Sequence, residues 1–240
     1  MHMKHIASLG FIGATAALTL GALRHPMPAT GSISGTVTYT GTMPKMKAID
    51  MAKEPSCAAQ HTSPVMTESA IAGPNSSLED VVIYISAGDQ GSVPATLAAR
   101  YDQKGCQYVP HVAILQVNQA LEIYNDDKTS HNIHPLAKTN PEWNKSQPPG
   151  AAPLKETFAK PEFIAVKCNI HPWMHGYFVV LNTSHATQSG EDGSFSLKGL
   201  PAGKYTVTAW HERFGTQVQE VTVGSGDTPK VNFTFKATPY

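Results

Sequence analysis

The sequence predicts an all-β protein. Three observations predict it: short runs alternate apolar and polar residues with a period of two, Gly, Pro and Asn/Asp residues close these runs, and the one segment with helical character, Met51–His61, is short. With 240 residues, 41% of them hydrophobic, the chain has material for a leader and two small domains.

Taken in order, the apolar run from Ile6 to Leu23 follows Lys4 and has the look of a secretory signal peptide, so residues 1–30 are assigned to a leader and short linker. An uncleaved N-terminal anchor is the competing reading, because eighteen apolar residues approach the length of a membrane span. Ser32–Thr40 alternates as a strand and Gly41 and Pro44 end it. Residues 45–79 are mixed, Asp80–Ile85 is a second strand, and Gly88 and Gly91 mark a break. Leu121 and Ile123 alternate with Glu122 and Tyr124, and Asn125–Lys128 turns the chain toward His131. Glu162–Val166 is a strand that sets Ile164, Val166 and Cys168 on one face, with Tyr177–Leu181 returning beside it. After Asp192-Gly193 come strands at Ser194–Leu197, Gly203–Trp210, Val218–Val223 and Lys230–Phe235, with Phe195, Tyr205 and Trp210 read as sandwich core.

Charge excludes one class of partner. The chain carries 18 basic and 18 acidic residues; the first 24 residues hold Lys4 and Arg24 and no acid, so the remainder is at minus two. Such a chain has no electrostatic footprint for nucleic acid. A membrane enters only through an uncleaved anchor.

The chemistry sits in Lys167-Cys168-Asn169-Ile170-His171-Pro172-Trp173-Met174. Cys168 is the last of three cysteines and Met174 the only methionine after Met66, yet they fall six residues apart with His171 halfway between. His131 offers a second imidazole from a separate loop. Two imidazoles, a thiolate and a weak axial thioether form the donor set of a mononuclear blue copper centre. Asn132 is placed to hydrogen-bond toward the cysteine loop, and with Asn169 is read as an outer-shell residue. Zinc would prefer four strong donors, which Met174 is not. A cysteine nucleophile with a histidine base would leave Met174 and the second histidine without a role. His134, three residues beyond His131, faces the other way, and His175 edges the site.

These residues resemble the cupredoxins, most closely those of the amicyanin and plastocyanin type. The likeness is carried by the Cys-x-x-His-x-x-Met loop with Pro172, by His131-Asn132-Ile133-His134, by Gln116–Asn125 and by Leu154–Phe158, and covers residues 98–183. It implies a Greek-key sandwich holding one type 1 copper through His131, Cys168, His171 and Met174. It also implies outer-sphere electron transfer rather than catalysis, with the exposed edge of His171, ringed by Pro172 and Trp173, as the electron portal. The partner would be a transient redox protein such as a c-type cytochrome or a dehydrogenase. Ile170 departs from the proline usual at that position, which leaves a backbone N–H near the sulfur.

Residues 192–207 resemble carboxypeptidase-regulatory-like modules, which are transthyretin-like β-sandwiches, and Gly35–Val37 and Val81–Tyr84 look like their early strands. The expected organisation is therefore a cupredoxin at 98–183 inserted in, or joined to, a sandwich made from 31–97 and 184–240. Export to the periplasm or outside the cell would favour a disulfide between Cys57 and Cys106. A second metal site using these cysteines with His61 or His111 is the sharper alternative. Two other functions stay open: a copper carrier or sensor, and a carbohydrate- or surface-binding module with incidental copper.

Overall fold

A computed structural model describes residues 29–239. The leader assigned to residues 1–30 lies almost wholly outside the described residues; within them, no helix is long and apolar enough to cross a membrane. The strands are β1 (Gly31–Gly41), β2 (Val82–Ala87), β3 (Ala99–Lys104), β4 (Gln107–Val109), β5 (Val112–Gln116), β6 (Leu121–Asn125), β7 (His131–Pro135), β8 (Lys145–Gln147), β9 (Leu154–Glu156), β10 (Glu162–Lys167), β11 (His175–Leu181), β12 (Ala186–Gln188), β13 (Ser194–Leu200), β14 (Gly203–His211), β15 (Gly215–Val223) and β16 (Phe233–Ala237). The only α-helix among the described residues is the single turn α1 (Pro55–Ala58).

The fold is all-β, and its sheets sort into two sandwiches. The outer one stacks β13-β1-β16 against β12-β2-β14-β15, around Ile33, Val37, Ile83, Val207, Phe233 and Phe235. The inner one stacks β5-β11-β10-β7-β8 against β4-β3-β6-β9, around Tyr101, Leu115, Ile123, Ile133, Ile164 and Phe178. In chain order β3 to β11 run between β2 and β12, and β2 and β12 pair antiparallel with Tyr84 opposite Ala186. Both ends of the inserted chain thus leave one edge of one sheet. Polar contacts fasten this root: Asp89 accepts from the Thr183 hydroxyl, pairs with His185 Nδ1 at 2.9 Å, and Ser92 accepts from the Ser184 N–H at 2.7 Å.

Two expectations are corrected. Residues 31–97 do not all belong to the outer sandwich, because Ile49, Met51, Cys57 and Val65 pack into the inner core. A bond from Cys57 to Cys106 draws this segment across the inner sandwich, where its scattered apolar side chains find cover. Trp210 is likewise not outer core. It lies five residues from Tyr205 on one strand, so the two point to opposite faces. Tyr205 enters the outer core, while Trp210 meets Phe163 at 4.8 Å and Tyr177 at 5.3 Å between the sandwiches. Val82, Val112, Val179 and Leu181 complete that apolar junction.

Glu162, at the start of β10, holds the loop before it: its carboxylate accepts the backbone N–H groups of Lys138, Thr139 and Asn140. Burial raises its pKa, but these donors and the Asn140 side chain outweigh that and bring it from 4.5 to about 2. A depressed carboxyl contributes stability that is full above the unfolded pKa and is lost as pH falls through the folded value. Glu162→Gln is expected to cost about 1 kcal/mol at pH 7, a modest figure because the group is partly solvated. Urea unfolding of both proteins should show that gap closing as pH drops from 4.5 toward 2.

Candidate metal centre

The centre lies at one pole of the inner sandwich, between its two sheets. Cys168 follows the last residue of β10 with its side chain turned inward, as its parity with Ile164 and Val166 requires, and is 3% exposed. The loop behind it is closed by two backbone bonds, Met174 N–H to His171 carbonyl at 2.9 Å and Cys168 N–H to Met174 carbonyl at 3.0 Å. This short loop returns His171 and Met174 to the buried side, leaving Pro172 exposed and Trp173 half-buried.

His131 opens β7 and comes to the same point. Its Nδ1 lies 2.9 Å from Nδ1 of His171, and one donor atom from each of His131, Cys168 and His171 falls within 4.8 Å of the others. All three residues are buried. Met174, 1% exposed, packs in the same core cluster as Cys168.

Asp127 fixes the presentation of His131. Its carboxylate lies 2.8 Å from His131 Nε2, so that nitrogen carries the proton and Nδ1 keeps its lone pair for the centre. Asp127 is itself held by the N–H groups of Gly105 and Cys106, both at 2.7 Å. These are the two residues of the tight β3–β4 hairpin, each with positive φ, +63° and +54°. A two-residue turn with both φ values positive follows the twist of its strands and turns consecutive N–H groups toward one acceptor. Burial raises the Asp127 pKa, but its bonds with His131, Cys106 and Gly105 prevail and lower it. Burial lowers that of His131, but Asp127 and Cys168 raise it overall. Sequence reasoning read Asp127 only as a turn residue. The signal available was its i,i+4 spacing to His131 beside a polar turn.

The sulfur of Cys168 sits among donors. Burial pushes its pKa up, but His131 and the backbone N–H groups of Asn132, His171 and Ile170 bring it below that of an ordinary thiol. The N–H of His171 reaches it at 3.3 Å. The Ile170 contact is the one a proline would remove. Asn132 ties the two loops together: its Oδ1 accepts from the Asn169 N–H at 2.7 Å and lies 3.3 Å from Cys168 Sγ, while its side-chain amide donates to Asn144. Asn169 Oδ1 lies 3.3 Å from Nδ1 of His134, whose other nitrogen pairs with Glu142 at 2.7 Å on the outward side of β7.

The expected portal is corrected. His171 is fully buried, because the segment drawn over the pole by the disulfide covers its outer edge. Cys57 Sγ lies 3.7 Å and Glu54 Oε2 3.9 Å from His171 Nε2, and Trp173 packs at a tilt against the ring while donating Nε1–H to the Cys106 carbonyl. Burial lowers the His171 pKa and the neighbouring His131 lowers it further. The disulfide, 2.02 Å between sulfurs, also removes Cys57 and Cys106 as thiolate ligands, and His61 instead bonds the Gly105 carbonyl at 2.8 Å.

The donor chemistry fits a soft, redox-active ion: two imidazole nitrogens face each other beside a thiol of lowered pKa, and Met174 is buried in the same core cluster as Cys168. The outer residues fix one tautomer of His131 and the position of the sulfur before any ion arrives.

Residues 175–236 match the carboxypeptidase regulatory-like domain. No curated protein matches the chain. Among solved structures, a purple cupredoxin from Nitrosopumilus maritimus is 20% identical with a TM-score of 0.31, covering 35% of this chain and 99% of that one. An oxidized amicyanin bearing one substitution is 18% identical with a TM-score of 0.32, over 41% of this chain and 98% of the other. A copper-containing nitrite reductase from Thermus scotoductus SA-01 is 21% identical with a TM-score of 0.33 over 41% of this chain, which spans 25% of the reductase. The chain thus joins a region similar to cupredoxins to a region that matches the carboxypeptidase regulatory-like domain.

Proposed function

We propose that this chain is an exported mononuclear copper protein that transfers single electrons by an outer-sphere route. The observation that carries the reading is the meeting of His131 Nδ1, His171 Nδ1 and the Cys168 sulfur at one buried point, with Asp127 holding His131 in the required tautomer. His131, Cys168, His171 and Met174 would hold the ion. Bound there, copper supplies a reversible one-electron couple.

The chain's own residues do the rest. Asn132 and the loop N–H groups restrain the sulfur, and those hydrogen bonds draw charge from it, favouring the reduced state of the centre. Tyr108 donates to the Asn132 carbonyl at 2.6 Å and so stiffens β7 behind the ligands. The Cys57–Cys106 segment excludes water from His171. Such a sealed site suits retention of the ion more than its delivery to another protein, which favours electron transfer over a carrier role. Ile170, 46% exposed, and Pro172 give the pole a small apolar surface, suited to the limited area of a transient redox encounter. The disulfide accords with export to an oxidising compartment.

The test is reconstitution of the chain from residue 31 onward with Cu(II), with visible and EPR spectra and metal counts. An intense thiolate-to-copper band at one copper per chain is expected; a colourless product would sink the reading. Asp127→Asn should keep the band but weaken copper binding by roughly 10- to 100-fold, the usual effect of losing an outer-shell partner.

A further inference from the structure

The geometry points to a second metal site, built from His111, His175 and Glu212 where the two sandwiches meet, that binds a divalent ion of the zinc type. One donor atom from each residue lies within 4.8 Å of the others. They come from three places: His111 immediately before β5, His175 at the start of β11, and Glu212 immediately after β14. The first two belong to the inner sandwich and the third to the outer.

His175 is presented as a ligand would be, and the short hydrogen bond between His111 and Glu212 would open to admit the ion. His175 Nδ1 lies 3.0 Å from the Trp173 carbonyl, which can only accept, so the proton sits on Nδ1 and Nε2 keeps its lone pair. His111 Nε2 lies 2.5 Å from Glu212 Oε1. The other nitrogen of His111, Nδ1, is buried and lacks a hydrogen-bond partner, in a side chain only 4% exposed; the nearest carboxylate is Glu68, at 3.7 Å. An imidazole that binds an ion through one nitrogen ordinarily directs the other N–H to a carboxylate, and Glu68 stands on that side. The two rings meet edge to face at 5.2 Å.

Two imidazoles and one carboxylate form the ligand set of zinc sites that keep an open position. Here the open side gives onto a cleft of about 450 Å³ lined by Lys45, Ser69 and Arg213, among others, so the ion would be reachable from solvent. The carboxylates of Glu212, Glu68 and Asp80 all act on His111, while Lys45, Lys47 and Arg213 on the cleft wall offset part of that charge. Because Glu212 is the outer sandwich's contribution, an ion here would bridge the two sandwiches. His175 follows Met174 directly, so the two groups of side chains meet where the Cys168 loop enters β11.

Copper-loaded, reduced protein would be equilibrated with Zn(II), freed of loose metal and counted for both metals. The expected result is one zinc per chain beside the copper, with affinity reduced at least about tenfold in Glu212→Gln and by a smaller factor in Glu68→Gln. The reoxidised visible spectrum of each variant reports whether the inner sandwich has folded. Cys168→Ser should still take up zinc at the wild-type affinity, which separates this site from the copper proposal. Absence of retained zinc in the wild type, or equal affinity in wild type and folded Glu212→Gln, would overturn the assignment.

Discussion

Replacing Cys168 with serine is expected to abolish the intense visible absorption of the copper-loaded protein altogether. The band requires a thiolate bonded to the ion, and Cys168 is the one free cysteine, Cys57 and Cys106 being joined to each other. A serine hydroxyl ionises far above neutral pH and is a harder donor, so His131 and His171 would be left to hold the ion without the soft ligand. The fold should survive, since the change is nearly isosteric and Asn132 still bonds the Asn169 N–H. Met174→Leu is the contrasting variant. Met174 is 1% exposed and leucine fills a similar volume, so the cost to stability should stay below about 1.5 kcal/mol. Loss of a weak thioether should leave the colour in place and move the potential, read by voltammetry. A serine variant that remained blue would show that another residue supplies the chromophore.

Removing the disulfide with Cys57→Ala and Cys106→Ala should have two separable effects. The bridge closes a loop of 49 residues, and chain entropy for a loop of that size corresponds to about 4 kcal/mol, enough to lower the thermal midpoint markedly. The same change uncovers His171, whose Nε2 now lies under Cys57 Sγ at 3.7 Å. Electronic coupling falls steeply with separation, so oxidation of the reduced protein by a small soluble oxidant should speed up several-fold. Stopped-flow measurement at a temperature where the variant is still folded checks this. An unchanged rate would mean that electrons reach the centre by a path that avoids the His171 edge.

The fold class was legible because period-two alternation survives in most strands, and the Asp192-Gly193 turn and the strands after it punctuate the outer sandwich clearly. The pairing of Cys57 with Cys106 was legible from cysteine number and the expected compartment. The covering segment was not. Residues 45–72 have no sheet period, and Ile49, Met51 and Val65 are too widely spaced to announce a common face. Its effect on His171 therefore could not be read from the ligand loop alone. Trp210 was misread because a strand with apolar residues on both faces hides which face is internal. The donors of the Cys168 loop stood out through close spacing, whereas Asp127 was masked by the ordinary preference of aspartate for turns. His111 and Glu212, 101 residues apart, carry no local pattern at all.

The topology has a consequence for synthesis. In β1, Val37 pairs with Phe233 in β16, so the outer sandwich closes only after residue 233 has emerged. The sheets of the inserted unit are complete once Leu181 is available. Contacts between distant residues form slowly, and a growing chain can satisfy the interior unit first. On that timetable His131, Cys168 and His171 reach their places before the frame around them exists, and β1, once joined by β13, keeps its other edge open until β16 arrives.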